Sequence, residues 1–184
     1  PFDARIQGEY GYGFCDNVLT SIQFERMISP AGYTQAQIVR PSDGKGPRRL
    51  AFIQGVGSRD NRRHNELFKT GRLCSQGHCS TVCCMYTAKQ VGIAKELRPE
   101  LDITVFYIDI RTCGQDFERY FNRVAALPGV TYRRSMVSSV KQLMGSRNLR
   151  LTYVADDGKL REEDFDMVVL AVGFAPPTAV SYTH

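Results

Sequence analysis

The chain has 184 residues, a formal net charge of +5 and a hydrophobic fraction of 42%. This length and composition suit one compact domain with its own hydrophobic core. The sequence has no run of about 18 apolar residues and no secretion leader, which argues against direct membrane insertion and favours a cytoplasmic protein.

The first 47 residues are rich in turn formers and contain one predicted helix. Thr20 and Gln23 form a capping-box pattern. The helix has an apolar stripe formed by Ile22, Phe24, Met27 and Ile28. A linker-like stretch follows at residues 41–47, so we expect residues 1–47 to be a separate segment and 48–174 to form the compact domain. We expect residues 175–184 to lead away from that domain, and the chain to be a piece of a longer protein.

A glycine turn follows the first buried strand, which we predict at residues 49–54. Small residues there permit a tight turn and the close approach of a ligand. The predicted cofactor-binding residues are Gly55, Val56, Gly57, Ser58 and Arg59. Asp60 replaces the third glycine of a dinucleotide fingerprint, and Asp109 lies about fifty residues downstream instead of roughly twenty. NAD(P)H binding is therefore the less favoured interpretation.

The rest of the chain alternates between strands and helices. A helix at 80–97 should carry Cys83 and Cys84 in its first turn. Strands are predicted at 102–110, 130–133 and 166–172, and a hairpin at 149–154 should return near Leu160. A helix at 116–126 should turn Phe117, Tyr120, Phe121 and Val124 inward. This order predicts an α/β fold, a three-layer Rossmann-like domain whose parallel sheet is covered by helices.

Four of the six cysteines fall within eleven residues. They are Cys74, Cys79, Cys83 and Cys84. Two adjacent thiols in so short a stretch suit ordinary disulfides poorly, and thiolates are soft ligands for iron-sulfur clusters or zinc. Zinc sites more often use separated C-x-x-C pairs, so a cluster is favoured over structural zinc. The helix N-terminus would lower the thiol pKa and donate hydrogen bonds to sulfur.

The remaining candidates have simpler interpretations. A single cysteine on a helix is often only a small buried side chain, and packing is the favoured role for Cys15 and Cys113. His78 could replace a thiolate ligand, but an exposed loop histidine is the commoner outcome. A basic stretch comprises Arg59, Arg62, Arg63, His64, Lys69 and Arg72. Without a nucleic-acid motif, we interpret it as a solvated loop beside an anionic cofactor and expect no nucleic-acid partner.

Several sequence runs resemble one family of redox proteins. They are RLAFIQGVGSRD at 49–60, CSTVCCMY at 79–86 and FYIDIR at 106–111, with EYGYG at 9–13 and RPSDGK at 40–45. Together they resemble the A subunit of CoB-CoM heterodisulfide reductase. They are equally similar to the related flavoprotein subunits of the quinone-interacting membrane-bound oxidoreductase that works with adenylylsulfate reductase in sulfate reducers.

The resemblance implies a thioredoxin-reductase-like flavoprotein whose FAD domain is split around an inserted nucleotide-type domain. Most of this chain would be the insert, residues 1–47 would belong to or link from the FAD domain, and 175–184 would cross back to it. The family passes electrons between flavin and [4Fe-4S] clusters in complexes with partner subunits. This segment alone would transform no substrate.

One departure from the family pattern concerns the metal ligands. The family has a cysteine immediately before Val-Gly-Ser-Arg, and this chain has Gly55 there. Cys79, Cys83 and Cys84 carry over directly from the family motif, whereas Cys74 is assigned from its spacing as a replacement for the missing ligand. A site with only three cysteines would hold its cluster weakly or not at all.

Overall fold

The computed structural model describes residues 3–6, 8–59 and 77–174. Two short 3-10 helices, Ala4–Ile6 and Gly8–Tyr10, precede the main elements. In chain order these are β1 (Val18–Thr20), α1 (Ser21–Ile28), β2 (Arg49–Val56), α2 (Cys83–Leu97), β3 (Asp102–Tyr107), α3 (Phe117–Ala125), β4 (Val130–Arg134), β5 (Val137–Gln142), β6 (Leu149–Val154), β7 (Leu160–Phe165) and β8 (Met167–Val172).

The central sheet has five parallel strands in the order β1-β8-β2-β3-β4. Strand β2 lies in the middle, with Phe52 opposite Val105 of β3 and Val169 of β8. After β2, the chain adds β3 and then β4 on one side of it. Strand β8 later pairs with β2 on the other side, between β2 and β1. In such sheets the carboxyl ends of the strands, where the order reverses, form the usual ligand crevice.

Two different layers cover this sheet. The helices pack on one face, where Phe24 of α1 meets Phe52 edge-on with ring centroids 5.4 Å apart. An antiparallel sheet of β5, β6 and β7 covers the other face, where Phe106 packs against Tyr153 and Phe165. The predicted α/β class and parallel sheet are confirmed. Among the described residues, the prediction that helices would cover the sheet holds for one face only, because β5, β6 and β7 cover the other face.

The N-terminal segment contributes to the central sheet. Strand β1 pairs with β8 in parallel, with Val18 opposite Val168. The predicted capping box is present: the Thr20 amide donates to Gln23 Oε1 at 2.9 Å, and the Gln23 amide donates to Thr20 Oγ1 at 3.4 Å. The assignment of residues 1–47 to a flavin domain stays a prediction.

Three side chains lie elsewhere than predicted. Ile22 and Phe117 are both 46% exposed, so neither joins the inward faces assigned to α1 and α3. Cys113 is exposed, and the packing role proposed for it is wrong. Val124 of α3 is buried as predicted. Within the described part of the chain, no helix is both long enough and apolar enough to cross a membrane.

Candidate functional site

The glycine turn lies at the carboxyl end of β2. Gly55 and Gly57 have φ angles of +73° and +78°, a region that side chains with a Cβ rarely adopt. The Ser58 amide donates to the Gly55 carbonyl at 2.9 Å and closes the turn. Val56 is buried in the core, whereas Gly55, Ser58 and Arg59 line the crevice. The predicted turn is therefore present, and the cofactor-binding role of its residues stays a prediction.

Helix α2 brings two adjacent thiols to this turn. Cys83 and Cys84 occupy its first turn, as predicted, and both are buried. The N-cap residue, Val82, makes no side-chain hydrogen bond to the helix. The helix N-terminus thus presents its partial positive charge and free amides to the thiols.

One small pocket collects the described thiols of the predicted cluster. It has a volume of about 20 Å³. Its lining residues are Gln54, Gly55, Ser58, Arg59, Cys79, Cys83, Cys84, Ile108 and Asp109. These residues come from the carboxyl ends of β2 and β3, from the start of α2 and from the residues just before α2. We call this the thiol pocket.

Hydrogen bonds fix the sulfur atoms within the thiol pocket. The Cys84 thiol donates to Gln54 Oε1 at 3.3 Å, and the Arg111 amide donates to Cys84 Sγ at 3.4 Å. The Thr81 amide donates to Cys79 Sγ at 3.4 Å, from a residue whose φ is +60°. Backbone donors aimed at sulfur favour a charged or electron-rich sulfur atom.

The pKa values of the Cys83 and Cys84 thiols are shifted in opposite directions. The Cys84 thiol, whose one proton is shared between Cys83 Sγ and Gln54 Oε1, lowers the pKa of Cys83 to about 6 against the effect of burial, and Ser80 and the backbone of Gly55 contribute to the lowering. The same bond to Cys83, together with burial, raises the pKa of Cys84. A thiolate at Cys83 beside a thiol at Cys84 is therefore the stable arrangement near neutral pH.

An ion pair connects the glycine turn to the end of β3. Arg59 Nη2 donates to Asp109 Oδ1 at 2.6 Å, and Arg111 Nε lies 3.4 Å from Asp109 Oδ2. Partial burial acts to raise the pKa of Asp109, but the hydrogen bond and charge of Arg59 outweigh it and lower that pKa. The long insertion between the two residues does not separate them in space.

The thiol pocket fits an iron-sulfur cluster in chemistry but not in size. Three thiols with amide donors are suitable ligands for iron. Among the described residues, however, no three His, Cys, Asp or Glu side chains are grouped closely enough to hold a metal ion. A volume of about 20 Å³ is also close to the space for a single water molecule. Cys74 and residues 62–72 of the basic stretch lie outside the described residues.

Sequence reasoning missed one central residue of this pocket. Gln54 is 8% exposed and receives the Cys84 thiol hydrogen bond. Its signal was a polar residue at the end of an otherwise apolar strand, directly before the glycine turn. His78 is exposed, as expected for a loop histidine.

Fold and site together define a nucleotide-type α/β domain with a group of thiols at the carboxyl edge of its parallel sheet. No family model matches the chain. The chain is similar to the second iron-sulfur A subunit of CoB-CoM heterodisulfide reductase from Methanopyrus kandleri, with 41% identity over 177 residues. It is 39% identical over 177 residues to the iron-sulfur A subunit of the same reductase from Methanocaldococcus jannaschii. Both matches cover 95% of this chain and 25% of the relative.

A third relative is also the A subunit of a heterodisulfide reductase. It is the A subunit of the H(2):CoB-CoM heterodisulfide,ferredoxin reductase from Methanothermobacter marburgensis, and it is 38% identical over 179 residues. That match covers 96% of this chain and 25% of the relative. The resemblance to the heterodisulfide reductase A subunits is confirmed, and the chain spans about a quarter of the length of these relatives. Among solved structures, a reduced ornithine hydroxylase from Pseudomonas aeruginosa matches with a TM-score of 0.40 and 16% identity, over 92% of this chain and 42% of that one.

Proposed function

We propose that this chain is part of an iron-sulfur flavoprotein subunit that transfers electrons in a complex of the heterodisulfide reductase type. One observation carries the proposal: Cys79, Cys83 and Cys84 line a single pocket at the start of a helix. The chain has this pocket in a domain similar, over about 95% of its length, to subunits named as iron-sulfur proteins. The site and the likeness support the same chemistry.

The proposed ligands are Cys74, Cys79, Cys83 and Cys84, and the proposed group is a [4Fe-4S] cluster. Such a cluster supplies a one-electron carrier when it is bound. Because the thiol pocket is small, its walls have to separate to admit the cluster. Residues 77–82, directly before α2, carry Cys79 and have no helix or strand structure, so they form the wall best suited to move.

The protein's own groups prepare the thiols for metal binding. Ligation needs thiolates, and the hydrogen bond that lowers the pKa of Cys83 holds one ready near neutral pH. Arg59 lines the same pocket and offsets negative charge there, although Asp109 balances part of its own charge. Metal binding would accordingly release fewer protons than four ordinary thiols would.

The arrangement supports electron transfer better than NAD(P)H binding. In a dinucleotide domain the pyrophosphate occupies the N-terminus of the helix that follows the first strand. Here the buried side chains of Cys83 and Cys84 fill that position. Within the residues that the structure describes, a dinucleotide therefore finds no open anion site of the usual kind.

The proposed partners are other subunits of an electron-transfer complex, because the relatives are named as subunits of reductases. FAD would be bound by the parent protein mainly outside this chain. A quinone-linked role in sulfate reduction is the alternative pathway implied by the second resemblance. The segment itself would relay electrons without transforming a substrate.

The proposal is tested by reconstituting the chain anaerobically with iron and sulfide and measuring both after desalting. We expect about four irons and four sulfides per chain and broad absorption near 400 nm, as for a [4Fe-4S] protein. Zinc in place of iron by elemental analysis would instead identify a structural zinc site. A colourless product free of both metals would overturn any metal role.

Matched cysteine variants separate ligation from nonspecific iron uptake. Cys83→Ser should lose most of the bound iron, because a serine hydroxyl is a poor ligand for iron in a cluster. Cys113→Ser is the control, since Cys113 is exposed and does not line the thiol pocket. Equal iron loss in both variants would contradict the assignment.

A further inference from the structure

The side-chain amide of Gln54 has one paired end and one unpaired end. Its Oε1 accepts a hydrogen bond from the Cys84 thiol at 3.3 Å. Its Nε2 is buried and makes no hydrogen bond within the described part of the chain. Buried donors in folded proteins are nearly always paired, because leaving one unpaired is costly. In this state the amide serves the thiol and leaves its own donor without a partner.

The groups around Cys84 Sγ suit a protonated sulfur atom. Gln54 Oε1 lies at 3.3 Å and the Asp109 carbonyl oxygen at 3.8 Å, and both are acceptors. The Arg111 amide is a donor and lies at 3.4 Å. A thiol has one proton to donate, so the two oxygen atoms match it. They do not match a sulfur atom that has lost its proton.

Metal ligation changes what Cys84 needs from its neighbours. Metals bind the thiolate, so the Cys84 proton is released to solvent as the metal–sulfur bond forms. The sulfur atom is then an acceptor only, and Gln54 Oε1 would face it with no hydrogen atom between them. The unpaired Nε2 of the same side chain has two hydrogen atoms to donate.

A half-turn of the Gln54 amide exchanges its oxygen and nitrogen atoms. The terminal torsion of glutamine is broad and roughly two-fold, and the two ends of the amide are nearly alike in shape, so the rotation needs no extra space. It places Nε2 where Oε1 lies now, beside Cys84 Sγ. A hydrogen bond from this donor to a charged sulfur atom is stronger than one between neutral groups.

We propose that Gln54 is a positioning residue for the metal ligand Cys84. Its amide accepts from the thiol in the metal-free chain and, after a half-turn, donates to the metal-bound thiolate. The unpaired Nε2 is then the donor that the metal-bound state uses. The inference rests on the proposed function in one respect only, that Cys84 ligates a metal. It requires neither an assembled cluster nor a fourth thiolate from Cys74.

The test uses Cd²⁺, a soft metal ion that binds thiolates without added sulfide. It is titrated into the reduced chain, and binding is followed by the ultraviolet sulfur-to-cadmium absorption. Gln54→Met keeps the length of the side chain and removes its N–H groups. We expect this variant to bind Cd²⁺ about tenfold more weakly, because a charge-assisted hydrogen bond is lost. Its midpoint of urea unfolding without metal should stay close to that of the parent chain, since an unpaired donor disappears with the weak thiol bond.

Gln90→Met is the matched control. Gln90 is 2% exposed, and its Nε2 donates to the Ser21 carbonyl and to Glu25 Oε2, both at 2.9 Å. It lies on α2 but does not line the thiol pocket. This variant should lower the midpoint of urea unfolding and leave the affinity for Cd²⁺ unchanged, which separates loss of packing from loss of the donor to sulfur.

Nuclear magnetic resonance of the parent chain tests the rotation without any variant. The side-chain amide protons of Gln54 are assigned through their correlations to the rest of the side chain. On addition of Cd²⁺, one of them should shift downfield and exchange more slowly with water, as a proton in a new hydrogen bond does. The side-chain amide protons of Gln90 should not move.

Weaker Cd²⁺ binding in Gln54→Met, together with the downfield shift in the parent chain, supports the inference. Unchanged affinity, an unmoved Gln54 signal, equal loss of affinity in Gln90→Met, or absence of Cd²⁺ binding overturns it. Iron and sulfide uptake is a separate measurement. A chain that binds Cd²⁺ with the help of Gln54 but assembles no cluster would contradict the proposed function and leave this inference standing.

Discussion

Arg59 and Asp109 are fifty residues apart in the chain, yet their side chains meet at 2.6 Å. The pair ties the glycine turn after β2 to the loop after β3, at the edge where the thiol pocket opens. It holds one wall of the thiol pocket in place although the insertion between the strands is long. The contribution of this ion pair to the free energy of unfolding can be measured.

We predict that Asp109→Asn lowers the free energy of unfolding by less than about 1 kcal/mol at pH 7, because both side chains are partly exposed to water. The lowered pKa of Asp109 means that the pair stabilises the fold above the ordinary carboxyl pKa of 3.8 and that this contribution is lost as pH falls further. Urea unfolding of Asp109→Asn, Arg59→Met and the double variant at pH 7 and pH 3 measures the coupling. A coupling that persists unchanged at pH 3 would contradict this assignment.

A second prediction concerns the pH dependence of the metal-free, reduced chain. The folded state holds Cys83 with a pKa of about 6, against an ordinary value of 9.0. Between these values the unfolded state binds the extra proton, so the free energy of unfolding should rise with pH. Above pH 9 the raised pKa of Cys84 reverses the sign, because the folded state then keeps a proton that the unfolded state loses.

Urea unfolding at pH 6, 7.5 and 9 measures this dependence. Cys83→Ser should flatten the rise, since the hydrogen bond between the two thiols is lost. Cys113→Ser should keep it, because Cys113 is exposed and outside the thiol pocket. A rise that survives in Cys83→Ser would show that other groups cause it.

A third prediction uses the unpartnered hydroxyl of Ser58. Ser58→Ala should leave the chain equally stable or raise its free energy of unfolding by about 0.5–1 kcal/mol, because Ser58 Oγ makes no hydrogen bond to any other described residue. Ser138→Ala is the matched control, since Ser138 Oγ donates to the Thr152 carbonyl at 2.9 Å. That variant should lose about 1 kcal/mol. Thermal unfolding of both checks the difference, and a larger loss in Ser58→Ala would refute it.

A fourth prediction concerns Gly173, whose amide donates to the Val56 carbonyl at 3.0 Å. A Cβ added there would lie 2.5 Å from Ser58 Oγ and 3.5 Å from Ser80 Oγ. Gly173→Ala should therefore cost about 1–3 kcal/mol of stability, as overpacking usually does.

Removing the obstructing atom tests that explanation. The double variant Gly173→Ala with Ser58→Ala should recover part of the loss, which makes the two effects non-additive. Gly8→Ala is the control, because an added Cβ there meets nothing within 4 Å. Strict additivity of the Gly173 and Ser58 changes in denaturant unfolding would rule out the proposed contact.

Except for β1, which has only three residues, the strands of the central sheet could be predicted from sequence because they are short apolar runs. Strand β5 could not, since only Val137 and Val140 of its six residues are buried. Strand β7 also has a single buried residue, Phe165, at its end, and it was predicted only as the return of a hairpin near Leu160, which its antiparallel pairing with β6 confirms. With so few apolar positions, neither strand shows the alternation that marks a half-buried sheet.

The thiol pocket was predictable in part for a similar reason. Clustered cysteines at the start of a helical pattern place Cys83 and Cys84 together through local structure alone. The contributions of Gln54 and Asp109 depend on how β2 and β3 lie side by side, which no local pattern reports.

The N-cap residue of helix α2 is Val82, whose apolar side chain cannot accept a hydrogen bond from the first helical amides. Its first turn instead has sulfur atoms beside it, with the lowered pKa of Cys83 favouring a negative charge there. These sulfur atoms therefore take the place of a capping side chain. The stability of the helix N-terminus accordingly depends on whether the thiols are free, alkylated or oxidised. Alkylation or oxidation of Cys83 should be detectable as faster amide exchange along the opening residues of α2, well before the rest of the domain unfolds.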